Sequence, residues 1–488
     1  MVSLFSDQTE QSRDVLGNAG IPLCVDLDGT LTPVDTLHES LLGLAKFSPL
    51  TLFRLPFWAL RGKATLKREV AARVTLEVAT LPLNSPLIDW LKAERNKGRT
   101  LLLVTAADSA IANALGRHVG LFDEILATDS DVNLSGDAKR RALVKRFGER
   151  GFDYAGNSGA DEKVWSAARK AIVVGTPGRI AKARRIAEVD RAFPVRNLDA
   201  LAWVKALRLH QWAKNALVFL PAVLAHKIVQ PTVLLHSVGA FLSFSLCASS
   251  IYLINDLLDL GSDRRHARKR NRPFAAGRLS ARSGVLASLL LVSASAALAL
   301  VVGYRFAAVL GLYYILTWAY SLRLKRAALV DVMTLAGLYT VRIIAGSAAT
   351  AIPPSFWLLA FSVFIFLSLG IVKRYTELSE AVQAGGVNVQ GRSYRASDLP
   401  LLMNLGVTAG YCTVVVMALY INSMDAQLLY RHSKPLWFVC PLLLYWITRI
   451  WLLTSRGQMD DDPVVFALRD RISLLVLGLL SLVVMISI

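Results

Sequence analysis

Cysteine is scarce in this chain: four residues in 488, Cys24, Cys247, Cys412 and Cys440, lie far apart in apolar surroundings. None has the spacing of a metal-ligand pair or of a small disulfide scaffold, so neither a zinc site nor a disulfide framework is expected. The opening MVSLFSDQTEQSRD carries no apolar core of the signal-peptide kind, and membrane insertion is expected to be driven by helices further along. The first two hundred residues also lack any apolar run of the ~20 residues needed to cross a bilayer. Acids are in deficit, 36 Asp and Glu against 55 Lys and Arg, a net charge of +19. In a soluble protein that excess would point to nucleic acid. Here much of it falls in short loops between apolar segments, where topology and anionic headgroups account for it, and no nucleic-acid partner is expected.

What is present is apolar: 54% of residues are hydrophobic, concentrated beyond residue 199. This predicts two domains, a soluble α/β domain over 1–198 and an all-α polytopic membrane domain over 199–488. Apolar segments near 214–228, 232–255, 283–303, 304–322, 328–349, 354–372, 399–421, 435–454 and 471–488 predict about nine spans. Basic residues occupy every second connection: Lys205, Arg208 and Lys214, then Arg264 to Arg282, Arg323 to Arg326, and Lys373 with Arg374. By the positive-inside rule these lie in the cytoplasm, which puts the first domain there too, on a multi-pass protein of the inner (plasma) membrane.

The densest chemistry is the stretch 254–277, INDLLDLGSDRRHARKRNRPFAAG, at the end of the second apolar segment. Asp256, Asp259 and Asp263 stand at i, i+3 and i+7, which predicts three carboxylates on one helical face. Lys269, Arg270 and Arg272 follow closely. Oxygen ligands beside fixed cations suit a magnesium-bound diphosphate. The plainer reading is a solvated basic loop anchoring helix ends; three acids in register at a membrane helix end favour a site.

The first domain has its own acids. A short apolar strand in IPLCVDLDGTLTPVDTL delivers Asp26, Asp28 and Thr30; a second, RTLLLVTAADS, ends at Thr105; SGDAKRRAL brings Lys139; and FDYAGNSGADEKVW closes on Asp161. In open α/β sheets, sites form where strands end in this way. These four stretches, in this order, resemble the motifs of the haloacid dehalogenase superfamily. The resemblance implies a Rossmann-like phosphatase in which Asp26 is the nucleophile, Asp28 the general acid/base, Thr105 and Lys139 bind the transferred phosphoryl group, and Asp26 with Asp161 hold magnesium. One position departs from it, for Asn157 stands where an acid is usual; an amide still offers magnesium an oxygen, without the charge. The helical insertion over about 35–97 takes the place of the superfamily's cap. Its LFRLPFWALRG segment, with Arg54 and Arg61, either packs on the core or rests on the bilayer.

A helical array with NDxxDxxxD at the end of its second apolar segment resembles the UbiA superfamily of intramembrane prenyltransferases. Ordinary members carry a second motif, DxxxD, after the sixth helix. Here that place reads VKRYTELSE, with Lys373 and Arg374 where acids are expected and Glu377 as the principal carboxylate. One acidic and one basic patch suit two anionic substrates. RLHQWAKN, KRNRPFAAG, YSLRLKRAALVDV with VRIIAG, KRYTEL and DDPVVFALRDR resemble the branch of lipid-phosphate phosphoribosyltransferases. That resemblance implies phosphoribosyl diphosphate bound through magnesium to Asp256, Asp259 and Asp263, with Asn255 orienting the first. Lys269, Arg270 and Arg272 would hold the sugar phosphate, and Lys325, Arg342 and Lys373 the phosphate of a polyprenyl phosphate, although cations at helix ends also snorkel to headgroups. The alternatives are a prenyl-diphosphate transferase, which predicts the missing second DxxxD, beside an inactive or regulatory first domain, and a transporter, which predicts an internal repeat that the sequence does not show.

Overall fold

The computed structural model describes residues 20–128, 133–195, 199–383, 385, 393–460 and 462–488; the opening MVSLFSDQTEQSRD and Asp461 of DDPVVFALRDR lie outside them. The chain forms two compact units. One contains the described residues up to Leu207 together with Tyr252–Ala287, the other Arg208–Ile251 with Ser288–Ile488. The acid-and-base stretch at 254–277 thus clusters with the α/β unit.

That unit is built on six parallel strands, β1 (Leu23–Val25), β2 (Leu101–Asp108), β3 (Glu124–Thr128), β4 (Asp153–Gly156), β5 (Ala171–Gly175) and β6 (Val189–Pro194), in the order β3-β2-β1-β4-β5-β6. Side chains alternate across the sheet. Leu23, Val25, Leu101, Leu103 and Ile172 enter one core, while Cys24, Leu102, Val104, Tyr154 and Val173 enter the other. Burial on both faces is why these strands read as unbroken apolar runs. At the sheet's N-terminal edge, Asp153 accepts from both Arg99 and Arg169, and Arg99 also pairs with Glu94 at 3.0 Å. The strand order reverses between β1 and β4, and beyond their carboxyl ends the diverging connections leave a crevice. The expected α/β domain is present.

The second unit is helical. Among the described residues six helices are long and apolar enough to cross a membrane: Pro231–Leu258, whose last residues belong to the first unit, Ala281–Val302, Val330–Thr350, Phe356–Gln383, Ala396–Ile421 and Lys434–Ser455. Of the three other segments expected to span, the one at 214–228 needs correcting. Over 214–228 the chain forms 3-10 turns, Leu209–Phe219, and then a five-residue helix, Leu220–Leu224, with Pro221 in its first turn; proline starts a new helix there and cannot extend the preceding one. Tyr304–Leu322 and Arg471–Ser487 are helices of 19 and 17 residues at the other two expected places. Glycine allows close approach where helices meet: a Cβ on Gly406 would stand 2.0 Å from the Trp451 ring, and one on Gly346 2.0 Å from the Val218 carbonyl.

Candidate active sites

β1 ends at Val25, so the next residue, Asp26, leaves the sheet at its carboxyl edge, its N–H donating to the Ala155 carbonyl of the neighbouring β4 at 2.9 Å. Lys139, from the helix Asp137–Phe147, donates to Asp26 Oδ1 at 2.7 Å and to the Tyr154 hydroxyl at 2.7 Å. Tyr154 passes the chain on to Asp161 Oδ1 at 2.8 Å, and Lys139 Nζ lies 3.8 Å from the same carboxylate. The other Asp161 oxygen accepts from the N–H groups of Asn157 and Ser158 and from the Ser158 hydroxyl, at 3.1, 2.8 and 2.7 Å, which fixes the turn after β4. Thr105, where the strand was expected to end, is buried within β2, which runs on to Asp108, and accepts from the Ala107 N–H at 3.0 Å. Asp26, Lys139 and Asp161 are therefore brought together as the motifs predict.

Two carboxyls here are poised near neutrality. Burial pushes Asp26 up to about 6 against the pull of Lys139, with Asp161 adding to the rise. Burial pushes Asp28 up to about 7, reinforced by the charges of Asp35 and Asp26 and opposed by the Thr36 N–H, which donates to it at 2.9 Å. Environments of this kind suit an acid/base carboxyl. The Asn157 side-chain oxygen is buried without a hydrogen-bond partner, and a Cβ added at Gly29 would meet the Asn157 amide at 2.0 Å. An orphaned buried acceptor against the Asp28–Gly29 turn is what a cation would satisfy, so Asn157 and Asp26 fit a magnesium ion, with Asp161 holding the turn behind them.

Lys67 went unnoticed in the sequence. From the helix Lys63–Ala71 of the insertion it donates to the Ala106 carbonyl at 2.6 Å and to Asn133 at 2.9 Å, beside the end of β2. Burial lowers its pKa, while Asp28 and Asp35 oppose that. The only sequence signal was a basic run, KATLKRE, indistinguishable from a solvated face.

The second candidate site lies on the stretch after Pro231–Leu258. The three acids do not share one regular helical face. Helical hydrogen bonds carry through, Asp259 N to Asn255 O at 3.0 Å and Asp263 N to Asp259 O at 2.8 Å, but at Asp259 the backbone opens to φ −100°, ψ 10° before the short helix Leu260–Arg265. Asp256 and Asp263 converge on one guanidinium nitrogen of Arg272, at 3.1 and 2.7 Å. Asp259 instead pairs with Lys46 at 2.9 Å. Burial raises the Asp263 pKa, Arg272 opposing and the two neighbouring acids reinforcing. Among the described residues no group of three or more His, Cys, Asp or Glu is arranged as a metal site; two carboxylates within reach of one cation fit magnesium as a pair that substrate phosphates would complete. Asn255 is half-buried beside them, and Lys269 and Arg270 are exposed.

The residue that orders this stretch is Arg264, which the motif did not single out. It donates to the Ala275 carbonyl at 3.0 Å and grips Glu39 with both terminal nitrogens, at 2.8 and 2.6 Å, in a buried bidentate pair. Breaking a buried pair from one side costs about 3–5 kcal/mol because the other charge is left uncompensated. Glu39→Gln is therefore expected to loosen the loop at 259–278, read as faster tryptic cleavage there. Unchanged cleavage would show that the loop does not depend on this pair.

In the helical unit one of the three expected phosphate ligands, Arg342, is engaged with protein partners. Buried Arg342 donates to Asn215 at 2.9 Å, to the Leu338 carbonyl at 2.5 Å and to Tyr313 at 3.0 Å. Arg374, almost fully buried, pairs with Asp331 and Glu377 and donates to Tyr320 at 2.7 Å, while Tyr394 donates to Asp331 at 2.5 Å. Glu377 is thus partner to a cation that ties two helices together. Lys325 and Lys373 are half-buried. Lys214, from RLHQWAKN, pairs with Asp462 of DDPVVFALRDR, so two of the quoted stretches meet.

A membrane helix bundle with an acid-rich helix end defines a class of intramembrane transferases. A model of the UbiA prenyltransferase family matches residues 216–476, just over half of the chain, and the protein belongs to that family. An uncharacterized protein of Sinorhizobium fredii is 38% identical over 458 residues, 93% of this chain and 88% of its own, so the likeness runs through the α/β region as well. Decaprenyl-phosphate phosphoribosyltransferase of Mycobacterium tuberculosis is 33% identical over 277 residues, 55% of this chain and 88% of its own. Among solved structures, a UbiA homolog from Archaeoglobus fulgidus bound to GPP and Mg2+ has a TM-score of 0.45 at 18% identity, covering 58% of this chain and 99% of that one.

Proposed function

We propose that this protein transfers phosphoribose from phosphoribosyl diphosphate to a polyprenyl phosphate and that its α/β domain removes the phosphate from the lipid-linked product. The observation that carries the transferase reading is the convergence of Asp256 and Asp263 on one cation position in a chain of the UbiA family. The likeness to a decaprenyl-phosphate phosphoribosyltransferase supports the choice of substrates. Magnesium at the acids would neutralise the departing pyrophosphate. Asp256 and Asp263 would hold the donor's diphosphate through it, Asp259 joining them on release from Lys46; Asn255 would orient Asp256, and Arg272, Lys269 and Arg270 would meet the 5-phosphate. A lipid phosphate oxygen then bonds to the anomeric carbon as the bond to pyrophosphate breaks, passing through an oxocarbenium-like transition state. Lys325, Arg342 and Lys373 are proposed for the lipid phosphate; Arg342 would exchange one of its contacts to Asn215, Leu338 or Tyr313 to reach it. Glu377 serves Arg374.

For the second step we read the α/β domain as a haloacid dehalogenase-like phosphatase, supported by the order of motifs and by the Asp26–Lys139 contact at the strand ends. Asp26 attacks the phosphorus of the monoester, and Asp28 gives its proton to the departing ribose oxygen. Asp28 then takes a proton from the water that opens the aspartyl phosphate, releasing inorganic phosphate. Lys139 and Thr105 receive the phosphoryl oxygens. The basic residues from Arg264 to Arg282, in a stretch that clusters with this domain, support a plasma-membrane location with the domain in the cytoplasm.

The test is to give purified protein labelled phosphoribosyl diphosphate, magnesium and polyprenyl phosphate and to follow label into the organic phase. Label is expected there. Efficient prenylation of an aromatic acid from a prenyl diphosphate, with none from the phosphoribosyl donor, would instead establish an ordinary prenyltransferase.

A further inference from the structure

The insertion between β1 and β2 splits its apolar residues between two faces. Leu44, Trp58, Val70 and Val74 make a small core of their own. Phe47, Leu50, Phe53, Phe57 and Leu60 point outward, at 77, 80, 83, 54 and 87% exposure. Among the described residues from Gly20 to Pro194 these five are all of the exposed large hydrophobic side chains, and they fall on one stretch of fourteen residues; elsewhere in the same unit Val195, Leu201, Val204 and Leu286 are exposed as well. The whole segment 46–63, KFSPLTLFRLPFWALRGK, contains four cations and no acid. Arg54, Arg61 and Lys63 are exposed on it, and the Arg61 guanidinium lies over the Phe57 ring at 4.2 Å.

The segment's position within its own unit says what covers it. Lys46, the residue before Phe47, pairs with Asp259 at 2.9 Å, and Asp259 is the residue after the membrane helix Pro231–Leu258. At ~1.5 Å per residue a helix of 28 residues outruns the ~30 Å hydrocarbon core, so its end reaches the interfacial layer. The apolar stretch therefore begins where the chain leaves the bilayer. A cluster of apolar side chains rimmed by cations is the pattern of an element lying in the headgroup region.

We propose that Phe47–Lys63 is a membrane-interface element: its five outward apolar side chains enter the boundary between headgroups and acyl chains, and Arg54, Arg61 and Lys63 pair with anionic lipid phosphates. The proposal is independent of both catalytic readings. It gives the insertion a role of its own, contact with the bilayer surface.

The test uses the full chain in nanodiscs of phosphatidylglycerol and phosphatidylcholine, with the partly exposed Cys412 and Cys440 replaced by Ala. An environment-sensitive fluorophore is attached at Phe53→Cys or, so that no single lost side chain decides the outcome, at Leu50→Cys. The control is Arg185→Cys, in the turn before β6 at the opposite, N-terminal edge of the sheet. Labels at 53 and 50 are expected to be quenched at least twofold more strongly than the label at 185 by lipids carrying a doxyl group near the headgroup, and the quenching should rise with the phosphatidylglycerol fraction. Equal quenching at all three positions overturns the proposal. So does blue-shifted emission at 53 without quenching, accompanied by a particle mass of two chains, which assigns the face to a second copy.

Discussion

Asp256→Asn is expected to abolish phosphoribosyl transfer while leaving the amount of protein in the membrane unchanged. The substitution keeps the side chain's size and removes the charge that, with Asp263, converges on the cation position now filled by Arg272. Loss of one preorganised electrostatic contact to a leaving group costs about 10²–10³ in rate, and a metal ligand is less replaceable than a hydrogen-bond donor. The measurement is initial rate against magnesium concentration. A loss that excess magnesium partly restores identifies Asp256 as a metal ligand, whereas full activity at ordinary magnesium would remove it from the site. Lys269→Ala is the contrasting variant: an exposed cation without a fixed position is expected to raise the KM for the phosphoribosyl donor several-fold and leave kcat nearly intact.

Asp26→Asn is expected to separate the two activities. An amide cannot attack phosphorus, so no aspartyl phosphate forms, while the transferase acids are untouched. The variant should accumulate the phosphorylated lipid-linked ribose, where the native protein goes on to the dephosphorylated product and inorganic phosphate. Hydrolysis should fall by a factor of 10³ or more, since the nucleophile is removed outright. Asp28→Asn is expected to slow the same step less for substrates with a good leaving group, because those need no proton. The same product in the same amount from native and Asp26→Asn protein would separate the α/β domain from this reaction.

Much of the architecture was legible because it is local. β1 reads as a strand because three apolar residues run directly into two acids, and β2 and β4 likewise end where polar residues begin. The spacing of apolar runs located the long helices. It failed at 214–228, where hydropathy is blind to the proline that divides 3-10 turns from a short helix. At 254–277 the i, i+3, i+7 spacing was right about Asp256 and Asp263. It could not register a change of backbone angles at one residue, which turned Asp259 aside.

The chain's pattern alone determined that there is an α/β region followed by an apolar helical one, and which residues are acids at strand and helix ends. These follow from periodicity and composition within windows of a few turns. Only the tertiary structure decided that Lys139 reaches Asp26 across 113 positions and that Glu39 clamps Arg264 across 225. It alone showed Asn157 with an unpartnered buried oxygen, and Arg342 and Arg374 engaged as buried structural cations. The physical reason is that a charged residue reads the same in sequence whether it faces water, a lipid phosphate or a buried counter-ion. What separates these roles is desolvation and partnering, and those are properties of the packed chain.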